Sequence, residues 1–248
     1  MTENDFCPKN SSGNSLKPLF KHMHLAYALD LLQNNRLWFA NPVEWEDPFE
    51  SRFLIANLQD SKTSKVDVFP WSNKVFCACF TNCAASEAHW KRSGEDSIML
   101  HFNRQILLDN LRKLPDNMQV YIGRVEYKET RDITKADLTK IPFNKPVPNK
   151  GNINDYCARL LLLKRNAFRY EEEIRVMIVI NVNNGKKKGE YFLQWDAMEK
   201  MISTITLFPF KNEDSNLKLA QFLSSNFAVK VVKSRLYRKH KPKNPLTW

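Results

Sequence analysis

The segment Lys164–Ile180, K-R-N-A-F-R-Y-E-E-E-I-R-V-M-I-V-I, changes its hydrophobic period part-way along. The run Leu160–Lys164 (L-L-L-L-K) closes an apolar stretch of helical length, and the pattern predicts a helix over about 152–166. From Tyr170 onward the residues alternate. Ile174, Val176, Ile178 and Ile180 fall on one face, and Glu171, Glu173 and Arg175 on the other. Successive same-face residues on a strand stand roughly 6–7 Å apart. The two carboxylates therefore repel, and Arg175 partly offsets the repulsion. A solvated strand face would tolerate such a row. The apolar run that follows is that of a buried strand, however, and a charged row on a buried strand points to a site.

The rest of the chain predicts an α+β fold in which a mixed, mainly antiparallel sheet is flanked by helices. Strands are expected at 19–23, 36–40, 74–81, 97–102, 119–127, 190–194, 202–208 and 229–233. Helices are expected at 25–34, 82–93, 103–113 and 214–226. The stretch N-P-V-E-W-E-D-P-F-E (41–50) reads as a turn-rich acidic loop anchored by Trp45 and Phe49. The pattern divides the chain into a polar arm (1–18), one α+β domain (19–234) and a basic tail (235–248). At 248 residues the chain is long enough to bury most of its apolar surface.

The net charge of +11 favours an anionic partner: nucleic acid, a nucleotide or a membrane surface. The tail after Val229 carries seven Lys or Arg and no acid. Together with the loop Lys186, Lys187 and Lys188 it offers Arg235, Arg238, Lys239 and Lys241 as phosphate contacts, unless these are simply solvated charges. No segment is apolar over the roughly 20 residues a spanning helix needs, the N-terminus is polar, and the five cysteines are odd in number. A cytoplasmic protein with free thiols and no membrane association is expected.

With six glycines and neither G-x-G-x-x-G nor G-x-x-x-x-G-K, no dinucleotide or phosphate loop is present. Cys77, Cys79 and Cys83 lack the C-x-x-C spacing common in zinc sites and read as structural thiols, so no metal is expected. Cys79 with His101 is a residue-type match only for a nucleophile and base. His22 and His24 share a strand face, where they could coordinate a metal or serve as site histidines.

Several short motifs stand in a fixed order: L-F-K-H, then L-W-F-A-N-P-V-E-W-E-D-P-F-E, then C-F-T, then Trp90 with Gly94 and I-M-L-H-F, and last K-x-x-x-F-x-Y-E-x-E-x-R. This order resembles a bacterial domain family formerly without a known function, over about residues 19–180. It departs from that family's pattern at His22 (usually Tyr), Glu46 (Asn), Cys79 and Thr81 (Ser), Lys91 to Ser93 (which lacks the usual Tyr) and Phe168 (Trp). The same pattern is remotely similar to mono-ADP-ribosyltransferases, which carry a basic or His residue on the first strand, a Ser/Thr strand and a late E-x-E.

The resemblance implies an ADP-ribosyltransferase-like fold and NAD as co-substrate. By it, Glu173 binds the nicotinamide ribose and stabilises an oxocarbenium-like transition state, and Glu171 orients or deprotonates the acceptor. His22, Lys21, Thr81, Trp90, Tyr170 and Arg175 surround the NAD. The basic surface suggests a nucleic-acid acceptor, RNA before DNA. The chain would then be a toxin of phage defence or of a toxin–antitoxin pair, with an antitoxin protein as partner. Two other functions stay open. One is a nucleic-acid-binding module without chemistry. The other is a nuclease with Mg²⁺ held by Asp47, Glu50, Glu171 and Glu173.

Overall fold

The computed structural model describes residues 18–55, 57–59, 66–68, 74–134, 153–180, 190–195 and 198–237. The predicted arm (1–17 of it), the loop Lys186–Lys188 and the end of the tail from Arg238 lie outside these residues.

The elements run β1 (Leu19–His24), α1 (Leu25–Asn34), β2 (Arg36–Ala40), a 3₁₀ turn (Pro42–Glu44), α2 (Pro48–Ile55), β3 (Asn57–Gln59), β4 (Val66–Val68) and β5 (Val75–Thr81). Then come α3 (Glu87–Ser93), β6 (Ser97–Phe102), α4 (Arg104–Arg112), β7 (Met118–Arg124), β8 (Glu126–Lys128) and α5 (Thr130–Thr134). The last part comprises α6 (Ile153–Leu160), β9 (Leu163–Arg165), a 3₁₀ turn (Asn166–Glu171), β10 (Glu173–Ile180), β11 (Glu190–Gln194), α7 (Met198–Met201), β12 (Ile202–Leu207), α8 (Glu213–Asn226) and β13 (Lys230–Lys233).

The mixed, mainly antiparallel sheet expected from the sequence is present. Its strands run β11-β2-β5-β1-β6-β12-β13, with β10 also on β5 and β7 on β10, and only β12–β13 is parallel. The alternation in β10 is the organising feature. Ile174, Val176, Ile178 and Ile180 join the main core with Phe76, Ala78 and Phe80 of β5 and with apolar side chains of α1, α4 and α8. On the opposite face Met177 and Val179 join a second core with Cys77, Tyr121, Leu54, Cys157 and Ala158. A third small core on that same face holds Phe20, Trp90, Met99 and Phe208. The first face is thus covered throughout. Among the described residues, the second is covered at two places and open between them.

The sheet also splits. β1 pairs with β6 over six residues but with β5 only at Phe20↔Thr81. β2 meets β5 only at Ala40↔Cys77. Had the β1–β5 ladder run on, His22 would stand opposite Cys79. Instead the strands part, and the Lys21 ammonium donates to the Cys79 carbonyl at 2.8 Å, supplying a partner to a backbone acceptor at the break.

Three sequence expectations need correction. The helix predicted over 152–166 stops at Leu160, and the apolar run continues as a turn into β9. Burial on all sides, not helical periodicity, explains why Leu160–Leu163 are apolar. The stretch 41–50 is not only a loop. Pro48 opens α2, with the Asp47 carboxylate accepting from the Phe49 N–H at 3.0 Å, and proline at the first helical position with an acidic cap before it is a helix start. The helix predicted at 82–93 begins only at Glu87, capped by Ser86.

Gly123 of β7 stands opposite Arg175, beneath the turn that leads into β9. A Cβ there would lie 2.2 Å from Leu162 Cδ1. Gly123→Ala is therefore expected to destabilise by about 1–3 kcal/mol through overpacking. A thermal melt unchanged from the parent would refute this tight approach.

Candidate functional site

Between the two smaller cores the second face holds a cleft of about 730 Å³. Its lining includes Lys21, His22, Thr81, Cys79, Arg92, Lys164, Glu50, Glu171 and Glu173. The volume lies in the range of about 300–1,000 Å³ usual for small-molecule sites.

The floor is an ion-pair network. β10 delivers Glu173 and Arg175 from one strand face. β9 delivers Lys164, and α2 delivers Glu50. Lys164 Nζ lies 2.5 Å from Glu171 Oε2, 2.9 Å from Glu173 Oε2 and 3.1 Å from Glu50 Oε1. Arg175 donates from Nε to Glu173 Oε1 at 2.8 Å, and also to Glu50 and to the Leu161 carbonyl. Its guanidinium carbon sits 4.4 Å from the centre of the Trp45 ring. The three carboxylates exceed the two buried cations by one negative charge, and Arg92 of α3, half-exposed at the rim, donates to Glu171. Asp47 is held separately by Arg165, at 3.1 Å from both Nε and a terminal nitrogen.

Glu171 reaches the cleft by a route the alternation did not foresee. It ends the 3₁₀ turn, and Glu172 then adopts a left-handed conformation at φ 42°. The strand starts only at Glu173. The predicted repulsion between the two carboxylates is met by Lys164 between them as well as by Arg175.

Environment separates the two glutamates. Burial would raise the Glu173 pKa, but Arg175 and Lys164 win and hold the carboxyl well below the usual carboxylate range. At Glu171 burial dominates and, with the charge of Glu173, leaves the carboxyl above its ordinary value despite Lys164 and Arg92. Burial works against charge on Lys164 too, but the surrounding carboxylates hold its pKa above the usual lysine range. Glu173 is also fixed through its backbone, since its N–H donates to the Tyr127 hydroxyl at 2.9 Å.

The opposite wall is aromatic. The His22 ring stacks on His89 at 5.0 Å and meets Trp90 edge-on at 4.4 Å. Burial, with His89 and His101 nearby, pushes the His22 pKa down to about 3, so the ring is neutral at pH 7. Both of its ring nitrogens are buried without a protein partner among the described residues.

Of the residues singled out from sequence, Glu173, Glu171, Lys21, His22 and Thr81 meet at this one cleft. Thr81 pairs with Glu173 across the β5–β10 ladder, and its hydroxyl accepts from the Cys83 N–H at 3.0 Å. Trp90 stands behind His22 in the third core, and Arg175 beneath Glu173. Tyr170 is exposed at the edge, its ring 6.1 Å from His89. Arg235 is exposed on the segment after β13. Lys186, Lys187, Lys188, Arg238, Lys239 and Lys241 lie outside the described residues.

Arg92 was not foreseen, and nothing in its local sequence marks it. Lys164 was visible as the lone charge closing an apolar run and as the first residue of K-x-x-x-F-x-Y-E-x-E-x-R. Glu50 and Asp47 are Mg²⁺ ligands only under the nuclease alternative, and the structure places Arg175, Lys164 and Arg165 on their oxygens. Among the described residues, no three His, Cys, Asp or Glu form a group able to hold a metal ion.

No family model matches the chain, and no curated protein matches it. Among solved structures it is similar to Thermus sp. 2.9 DarT in complex with NAD+, with a TM-score of 0.41 and 10% identity over 90% of this chain and 98% of that one. It is also similar to the same protein in complex with ADP-ribosylated ssDNA, with a TM-score of 0.39 and 11% identity over 89% and 95%. At these scores the likeness carries no argument about fold or function. Among the described residues, no helix is long and apolar enough to cross a membrane.

Proposed function

We propose that the protein is an NAD-dependent ADP-ribosyltransferase acting on nucleic acid. The observation that carries this reading is Glu173. It is an ionised carboxylate, 4% exposed, fixed by Arg175, Lys164 and a backbone bond, at the floor of a cleft that can admit a dinucleotide.

In such a transfer the bond between the ribose anomeric carbon and nicotinamide breaks. Its electron pair leaves with the neutral nicotinamide, and positive charge builds on the ribose. A carboxylate already in place stabilises that charge without reorganising, which is electrostatic preorganisation. Arg175 and Lys164 keep Glu173 from protonating on burial. The acceptor then bonds to the anomeric carbon and gives up a proton. Glu171, whose pKa lies above its ordinary value, is the better base of the pair. Lys21 and the partnerless nitrogens of His22 offer polar contacts to the rest of the dinucleotide. The chemistry asks for no metal.

The basic loop Lys186–Lys188 and the tail residues Arg235, Arg238, Lys239 and Lys241 are proposed phosphate contacts, on charge alone. The ordered motifs extend the reading to a toxin of phage defence or of a toxin–antitoxin pair, restrained by a protein partner.

The test is incubation of the purified chain with NAD labelled in its adenosine half, together with single-stranded RNA or DNA. Release of nicotinamide and label on the nucleic acid are expected. Intact NAD in both arms would sink the enzymatic reading. Nicotinamide release with no labelled polymer would sink the acceptor.

A further inference from the structure

Among the described residues, the second face of the sheet is bare at one end. β2 and β11 pair in register, Trp38 opposite Phe192, and both rings point away from the main core, which holds Leu37 and Leu193. Each is 39% exposed, and Tyr27 at the start of α1 is 64% exposed. The rings form a connected row. His24 lies 6.2 Å from Tyr27, and Tyr27 stacks on Trp38 at 6.3 Å and 24°. Arg36 sits 4.4 Å over Phe192. The row is continuous with the cleft, because His24 follows His22 on the same face of β1.

We propose that this row is the stacking track for a single-stranded nucleic acid whose reacting nucleotide enters the cleft, an inference that rests on the nucleic-acid acceptor proposed above. Three features select this occupant. Planar rings left exposed in part suit bases, and base–aromatic stacking is tolerant of sequence. The chain's charge of +11 complements a polyanion, while the Arg36 guanidinium on the track is itself paired with Asp30 at 2.5 Å. The track ends at the site, so a strand lying along it can present a base or sugar to Glu171 and Glu173. Duplex is excluded from such a track because its bases are stacked on one another.

The test uses fluorescein-labelled 12-mers of single-stranded DNA and RNA, with anisotropy measured without NAD over a range of salt. Trp38→Ala is expected to weaken binding about tenfold. Trp38→Phe should keep most of the affinity, and Trp38→Leu, apolar but without a ring, should lose it. The triple variant Tyr27→Ala, Trp38→Ala and Phe192→Ala should bind at least a hundredfold more weakly, with the salt slope unchanged because no phosphate contact is removed. Nicotinamide release without acceptor should be unaltered in all of them, which also shows that they fold.

If the parent binds both oligonucleotides and the triple variant binds them equally well, the track is wrong and the acceptor reading survives. If the parent binds neither, both fall. A parent that sediments as two copies, and a triple variant that sediments as one, would assign the row to self-association and overturn the track.

Discussion

Glu173→Gln is expected to cut nicotinamide release by about 10²–10³-fold, the loss typical when one preorganised electrostatic group is removed from a site. Gln keeps the shape but not the charge. Arg175 and Lys164 retain Glu50 as a partner, so the fold should persist. KM for NAD should move little, because the lost interaction strengthens only as the ribose becomes positive. Glu171→Gln makes the informative contrast. If Glu171 serves the acceptor, this variant should still release nicotinamide while labelling of nucleic acid falls. Stopped-time assays of the two products, with a thermal melt of each variant, separate the roles. Parent-level nicotinamide release by Glu173→Gln would remove Glu173 from the chemistry.

The sequence exposed one half of this site more clearly than the other. Alternation in β10 told which residues face the main core, because a strand buried on both sides still sorts its charges to one face. It could not show that this face carries a second core further along, since Met177 and Val179 are apolar in both periodic readings. The row Glu171–Glu173–Arg175 looked like one straight strand edge. The left-handed Glu172 breaks it, and nothing in E-E-E announces such a kink, because only glycine or asparagine advertises positive φ. Lys164 was visible as a charge, but its placement on a strand was hidden for a different reason. It follows four leucine-rich positions that read as helix, whereas burial from several sides makes a turn and a short strand equally apolar. Glu50 and Arg92 come from segments 125 and 79 residues distant from their ion-pair partners. Such pairings follow from topology and not from local pattern. The D-P pair at 47–48 did carry the helix start, as a capping acid before a proline, and could have been read that way.

Arg175→Met should be the most damaging single change for stability, at about 3–5 kcal/mol, the cost of leaving buried charge without its partner. The Arg175 side chain is essentially unexposed, and it bonds Glu50, Glu173 and the Leu161 carbonyl at once. Methionine fills the space under Trp45 but leaves Glu50, Glu171 and Glu173 to share Lys164. The pH dependence distinguishes this mechanism from simple loss of packing. In the parent, Glu173 has a folded pKa below its ordinary 4.5. Its stabilisation is therefore complete above pH 4.5 and drains as pH falls through the lower folded value. Glu171 acts in the opposite sense, because its raised value favours the fold at low pH and costs stability as pH rises through it. Removing Arg175 deletes the largest influence opposing burial at Glu173, so its folded pKa rises and less stabilisation remains to be lost as pH falls. Urea melts from pH 3 to 8 should show the deficit of Arg175→Met greatest at neutral pH and narrowing toward pH 4, as the unpaired carboxylates take up protons. The double variant Arg175→Met with Glu173→Gln should recover part of the loss, since the stranded charge goes with its partner. A deficit independent of pH and undiminished in the double variant would mean that Arg175 acts by filling space, and that the charge on Glu173 is set by something other than this pair.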